Sequence, residues 1–312
     1  DVRNLAELDV FFDLSIANKP TDTVVHKQLI LKIEFVDRIG SSLAPCESIP
    51  KSQSVGNYVY ISISNKYFTK VTLPIPTHAH LISLKLERWQ FSNEIIASNT
   101  IGYAGLKSGV SVIIPSFKGE NTITECLQSL ALQSLSPELF EVIVILNGEK
   151  DNTEHLINAF RKKNPKLELK LLNSTETGAG AARNMGIAAA RRKYITFVDD
   201  DDLVSQNFLK GLMAFSSSDR VVLSNIEDFA NDDFFESPID KQISANQGRE
   251  DVPYSEISSA VTLNACKLIP THFAKSINYN TRLKSGEDVD YWTRLVNEFE
   301  PKFCCVEESS AS

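Results

Sequence analysis

The feature that most limits the fold is a change of hydrophobic period near Gly109. Upstream, apolar residues recur at every second position. Downstream, apolar runs alternate with stretches at helical spacing. Residues 110–114 read as a strand buried on both faces, and Ile123, Leu127 and Leu130 follow one helical face. A second strand over 142–146, a helix over 152–163 ended by Pro165, and a third strand over 167–172 come next. A helix over 178–192 and a fourth strand over 194–198 complete the series. Strands alternating with helices in this way predict an α/β domain around a mainly parallel, Rossmann-like sheet. Such sheets bind ligands beyond the carboxyl ends of their strands. The loops starting at Pro115, Asn147 and Asp199 all fall at that edge.

The first 105 residues read as all-β. Leu29, Leu31, Ile33 and Phe35 alternate with Ile30, Lys32 and Glu34, and Val59, Ile61 and Ile63 alternate with Tyr60, Ser62 and Ser64. The same period runs through Val10 to Ile16 and Ile82 to Leu86. One wet face and one dry face suggest an antiparallel, sandwich-like domain over 1–105, followed by the α/β domain over 106–312. No catalytic constellation stands out in the first part. His78 and His80 are closely spaced, but a lone His-x-His is more often a loop than a metal site.

Four carboxylates, Asp199 to Asp202, follow the strand that ends at Val198. In an extended backbone Asp199 and Asp201 share a face about 7 Å apart. Unit charges near 4 Å repel by roughly 4 kcal/mol at an effective dielectric of about 20. An oxygen-seeking ion such as Mg²⁺ or Mn²⁺ would relieve that repulsion. The plain alternative is an acidic turn, with Asp202 or Ser205 capping a helix near Gln206.

Net charge is −8, which argues against nonspecific nucleic-acid binding and against broad attraction to anionic lipid, a local basic patch aside. No apolar stretch reaches the ~20 residues of a membrane span. No secretory signal opens the chain, which begins at Asp1 and reads as a processed or excised piece. The cysteines, 46, 126, 266, 304 and 305, are scattered, without a zinc pattern. A reducing, cytoplasmic setting fits them, with peripheral association at the inner face of a membrane as a variant.

Taken together, Val112-Ile113-Ile114-Pro115-Ser116-Phe117, Thr177-Gly178-Ala179-Gly180-Ala181-Ala182-Arg183-Asn184-Met185-Gly186, the acidic run and Gly286-Glu287-Asp288 resemble GT-A glycosyltransferases, specifically family 2. The resemblance covers about residues 110 to 300. It implies an inverting transferase with a nucleotide-sugar donor, UDP-linked before others. It also implies a divalent metal and a glycan or lipid-linked glycan acceptor, as in cell-surface polysaccharide synthesis. By resemblance, Pro115 and Phe117 line the base pocket, where an aromatic face stacks on a nucleobase; core packing is the alternative for Phe117. Gly178 and Gly180 let the backbone approach a ligand. Arg183 meets the nucleotide, since a guanidinium matches phosphate oxygens; a surface arginine is the alternative. Asp201 is the metal ligand and Asp199 holds the ribose or the ion, with Asp200 grouped among the nucleotide contacts. Asp288 is the general base for the acceptor hydroxyl, and Glu287 positions the acceptor. The competing reading of Ser285 to Asp288 is a capping box before a helix with the stripe Val289, Trp292 and Leu295. Residues 264–273, His272 among them, are expected to border the acceptor pocket.

One departure concerns the second strand, where the family usually carries an acid and this chain reads Leu146-Asn147-Gly148. The base contact then falls to Asn147 or is lost, and Asp151 either substitutes or caps the next helix. Two rival functions follow: a non-catalytic glycan-binding protein with a degenerate transferase domain, and a sugar-nucleotide nucleotidylyltransferase. The second would need a basic, glycine-rich loop after the first strand, which Pro115-Ser116-Phe117-Lys118-Gly119 is not.

Overall fold

A computed structural model describes residues 7–16, 25–37, 41–44, 49, 51–52, 56–63, 68–74, 76, 81–88, 95–102, 106–230, 233–235 and 237–311. The chain divides into two compact units, Asp1–Leu106 and Lys107–Ser312. In the first, β1 (Glu7–Ile16) lies between β6 (Phe68–Pro74) and β8 (Ile95–Gly102) in an antiparallel sheet. β2 (Val25–Val36) pairs antiparallel with β5 (Gly56–Ile63), β7 (Leu81–Arg88) and the short β3 (Ser42–Leu43), while β4 (Lys51–Ser52) pairs with β5. Along β2, Leu31, Ile33 and Phe35 are buried and Glu34 is exposed, but Ile30 is buried too. His78, His80 and Cys46 lie outside the described residues, as do the side chains of β1 that would line a sandwich interior.

The second unit is built on one sheet. Its strands are β9 (Lys107–Ser116), β10 (Phe140–Asn147), β11 (Leu169–Ser174), β12 (Arg192–Phe197), β13 (Arg220–Ile226), β16 (Lys267–Pro270) and β17 (Lys302–Ala311). A two-stranded hairpin, β14 (Asp228–Ala230) and β15 (Asp233–Phe235), stands apart from it. The sheet order is β11-β10-β9-β12-β16-β13-β17. All neighbours run parallel except β16, which is antiparallel to both β12 and β13. The chain leaves β9 toward β10 and β11, then crosses back to β12 on the other side. That reversal opens a crevice above the carboxyl ends of β9 and β12, where open α/β sheets hold ligands.

The central strands form because their residues are apolar on both faces. Val110, Val112, Ile113, Ile114 and residues 142–145 are fully buried, each such side chain contributing about 1.5–3 kcal/mol. Helix α1 (Ile123–Ala131) buries Ile123, Cys126, Leu127 and Leu130, the face that the spacing predicts. Helix α2 (Thr153–Lys163) matches its expected span, whereas α3 is shorter than expected, Ala179–Ala189. Arg192 belongs to β12 instead, because its backbone pairs with Lys107 and its side chain reaches inward. Helix α3 lies directly on β9 and β10. A Cβ at Gly186 would stand 2.4 Å from Ile113 Cγ2 and 2.9 Å from Ile145 Cδ1.

At the opposite edge, polar groups lock the strand starts. Buried Glu141 accepts from Ser111 Oγ (2.8 Å), from the Arg191 amide (2.7 Å) and from Lys170. The Arg192 guanidinium donates to the Glu138 carbonyl at 2.7 Å and to the Glu168 carboxylate at 2.8 Å. The remaining helices are α4 (Phe208–Ala214), α5 (Pro238–Ser244), α6 (Tyr254–Thr262), α7 (Thr271–Ser276) and α8 (Glu287–Phe299).

Candidate active site

A cleft of about 530 Å³ opens at the switch point. Pro115, Ser116 and Phe117 line it from the end of β9, Asn147 and Gly148 from the end of β10, and Thr177 to Ala179 with Arg183 from α3. Asp199, Asp200 and Asp201 line it from the turn after β12. A side cleft of about 280 Å³ continues past Asn147 to Asn173 and Ser174 at the end of β11.

Four acids in succession cannot all face one way. β12 ends at Phe197, and the Asp202 amide donates to the Asp199 carbonyl at 3.1 Å, closing a β-turn. The extended spacing expected for Asp199 and Asp201 is therefore replaced by a turn that sends each carboxylate elsewhere. Asp199 accepts from Arg183 Nη2 at 3.0 Å. Asp200 accepts from Ser116 Oγ at 2.5 Å, tying the acidic turn to the β9 loop. Burial, with Asp201 beside it, raises the Asp200 pKa. Burial and the Asp199 and Asp201 charges push Asp202 up to about 6. Asp201 is exposed and makes no hydrogen bond or ion pair with a described residue. The capping role considered for Asp202 or Ser205 is not realised. Helix α4 starts at Phe208 behind Asn207, without a side-chain cap.

Arg183 is buried, its side chain only 6% exposed. Burial works against its charge, but Asp199 outweighs that with help from Glu287, and the net pKa is raised. Its Nη1 reaches Glu287 Oε1 at 3.1 Å. Two motifs 104 residues apart thus meet through one guanidinium. The surface-arginine alternative is excluded.

The stretch before α8 departs from the capping-box reading. Gly286 is the N-cap, in the left-handed region at φ 72°, and no side chain caps the helix. Asp288 is half-buried, and among the described residues its Oδ1 accepts only from the neighbouring Val289 amide, at 2.8 Å. The buried face of α8 is Tyr291, Trp292 and Leu295, while Val289 is 49% exposed. At 100° per residue those three span one arc, and Val289 lies roughly 60° beyond it.

Phe117 is 58% exposed, so core packing is excluded for it. Asn147 is 8% exposed, and its Oδ1 has no hydrogen-bond partner among the described residues. A buried acceptor without a donor costs about 1–3 kcal/mol unless something fills the role. Asp151 precedes the N-cap Asn152 of α2 and accepts from the Thr153 amide at 3.0 Å. Residues 264–273 do not border the cleft. β16 is threaded through the sheet interior, Asn264 and Lys267 are buried, and His272 is 4% exposed. The buried acceptor Asn264 instead takes hydrogen bonds from Tyr279 Oη (2.6 Å) and Trp292 Nε1 (3.2 Å). Sequence reasoning missed Tyr279, which lies between motifs and carries no spacing signal.

Among the described residues no three His, Cys, Asp or Glu side chains form a metal cage. Small hard cations need none. Mg²⁺ is held by one or two carboxylates together with substrate phosphates. An uncommitted Asp201, lining the same cleft as Asp199, offers the all-oxygen ligands such an ion takes. No helix among the described residues is long and apolar enough to cross a membrane.

Comparison with known proteins is consistent with this geometry. The family model for glycosyl transferase family 2 matches residues 111–273. A poly(ribitol-phosphate) β-N-acetylglucosaminyltransferase of Staphylococcus aureus, TarS, is 35% identical over 105 residues, 34% of this chain and 18% of its own. A poly(ribitol-phosphate) β-glucosyltransferase of Bacillus spizizenii is 27% identical over 183 residues, 57% of this chain and 28% of its own. The chain therefore spans well under a third of these relatives. The crystal structure of TarS 1–349 with UDP superposes with a TM-score of 0.54 at 26% identity, covering 65% of this chain and 60% of that one. The same fragment has also been crystallised with UDP-GlcNAc. A Pyrobaculum calidifontis mannosyltransferase in complex with GDP-Man and Mn²⁺ shares the fold, with a TM-score of 0.50 at 16% identity over 65% of this chain and 55% of its own.

Proposed function

The chain belongs to glycosyl transferase family 2, and from that premise we propose that it transfers a hexosyl or N-acetylhexosaminyl unit from a UDP-sugar to a hydroxyl of a cell-surface glycan, with inversion at the sugar carbon. The observation that carries the proposal is the meeting of Asp199 and Glu287 on the buried Arg183 at the switch point. One side of that contact belongs to the donor cleft, the other to the helix that bears Asp288.

Phe117, 58% exposed at the rim, stacks on the base once the Lys118 ammonium, 5.4 Å from its ring centre, moves aside. Asn147 Oδ1 accepts an N–H of the base, which would satisfy its orphaned lone pairs. Uracil offers such a donor at N3, whereas cytosine presents an acceptor there. Arg183, held charged, binds diphosphate oxygens. Asp201 and Asp199 would hold Mn²⁺ or Mg²⁺, an ion that would supply positive charge for the diphosphate. The acceptor oxygen attacks the anomeric carbon as the bond from that carbon to the diphosphate breaks. Asp288 takes the hydroxyl proton, and the diphosphate leaves with the bonding pair. The names of the relatives support a poly(ribitol phosphate) or similar polyol-phosphate glycan as acceptor.

Calorimetry with UDP, with and without Mn²⁺, tests the donor half of this reading. Tighter binding with the metal is expected, and Asp201→Ala should abolish the difference. Equal affinity in both conditions would count against a metal bridge. Sugar transfer from UDP-GlcNAc and UDP-glucose to poly(ribitol phosphate) tests the acceptor half.

A further inference from the structure

A buried guanidinium needs more than two carboxylates to stay in one place. Arg183 offers five N–H donors in a plane. Nη1 and Nη2 each reach one carboxylate, while Nε is buried with no hydrogen-bond partner among the described residues. The ring of Tyr279 lies 5.7 Å from the guanidinium carbon, within the range at which an aromatic face attracts a cation.

Tyr279 is itself held from every side. Its ring stacks on Tyr291 at 3.9 Å with 3° between the planes, and meets Phe197 edge-on at 5.9 Å. Its hydroxyl donates to Asn264 Oδ1 at 2.6 Å. Asn184, the residue after Arg183, clasps its backbone: the Tyr279 amide donates to Asn184 Oδ1 at 2.7 Å, and Asn184 Nδ2 donates to the Tyr279 carbonyl at 3.0 Å. The turn of α3 that carries Arg183 is thus tied to the ring that faces it. Phe197 is the last residue of β12, two before Asp199. Tyr291 belongs to α8, the helix that Glu287 begins.

We propose that Tyr279 is a positioning residue whose ring face holds the Arg183 guanidinium where the acidic turn and the start of α8 converge. The consequence for nucleotide affinity rests on the reading of Arg183 as a diphosphate ligand. The contact itself does not. A purely structural Tyr279 would matter for its volume and its hydroxyl. A positioning ring matters also for the negative charge of its face.

The test keeps the shape and changes the face. Phenylalanine, 3,4,5-trifluorophenylalanine and pentafluorophenylalanine are placed at position 279 of the full chain, with phenylalanine as reference. UDP affinity in Mn²⁺ is measured by calorimetry. In the nucleotide-free protein the Arg183 Nε–H resonance, assigned by its loss in Arg183→Lys, is followed by NMR. Affinity should weaken stepwise, by roughly three- to tenfold over the series, while the resonance moves in step. A series that binds UDP equally well with an unmoved resonance overturns the proposal. If no member binds UDP, wild type included, yet the resonance tracks fluorination, the Tyr279–Arg183 contact stands and the nucleotide reading falls. An unmoved resonance in that case removes both.

Discussion

Replacing Asp288 by Asn should separate chemistry from folding, and the structure supplies both magnitudes. The carboxylate makes one hydrogen bond, accepting the Val289 amide at 2.8 Å, and an amide oxygen can keep it. No capping box depends on it, since Gly286 is the N-cap. What is lost is a negative charge in the first turn of α8, worth about 0.3–1 kcal/mol at a helix N-terminus. Glu287 and Asp290 remain there. Stability should therefore fall by no more than about 1 kcal/mol. An amide cannot take the hydroxyl proton at neutral pH, and a general base contributes about 10²–10⁴-fold, or roughly 3–5 kcal/mol of barrier. UDP affinity should change little, because Asp288 does not touch Arg183. Glu287→Gln should behave differently. It removes one of the two carboxylates on Arg183, so UDP affinity and stability should both move. The assay is sugar transfer to a polyol-phosphate acceptor beside UDP calorimetry and urea unfolding. Near-normal transfer by Asp288→Asn would refute the assignment and leave Glu287, paired with Arg183 at 3.1 Å, and Asp290, paired with Arg294 at 2.7 Å, as the candidates. A loss of several kcal/mol in stability would refute the claim that the carboxylate is held for chemistry.

Two further outcomes concern the scaffold. Gly186→Ala gains about 1 kcal/mol of helix propensity but forces a methyl against Ile113 and Ile145, both fully buried. Overpacking costs about 1–3 kcal/mol, so a net loss of about 1 kcal/mol should appear in the urea midpoint, and a gain would show that α3 lifts off the sheet easily. Glu141→Gln should destabilise by about 2 kcal/mol at pH 7, less than the ~3–5 of a fully buried pair because Lys170 is 25% exposed. Burial alone would raise the Glu141 pKa, but Lys170, the Arg191 amide and Ser111 pull it below 4.5. A depressed folded pKa gives stability that is present above 4.5 and lost as pH falls through the folded value. The difference between wild type and variant should therefore shrink below about pH 4.5, and a constant difference would argue against ionised Glu141.

Family, sheet class and cleft edge were legible in the chain because they rest on local patterns. Val112 to Ile114 and residues 142–145 could only be strands covered on both faces, and the loops after them had to fall at one edge. Helix α1 kept the face that its spacing announced. Pro115, Phe117, Asn147, Arg183, Asp199, Asp200 and Asp201 all line one cleft, as the motifs imply. What tertiary structure alone decided is which partner each side chain takes. Turn geometry, not strand alternation, sends Asp199 to Arg183 and Asp200 to Ser116. The antiparallel insertion of β16 carries Asn264 and His272 into the interior, away from the cleft that the acidic turn lines. Tyr279 becomes a junction only because α3, β12 and α8 converge on it. Period and composition report what a residue needs, burial or solvent. The pairing of groups 84 to 104 positions apart depends on where the sheet brings their elements, which no local pattern encodes.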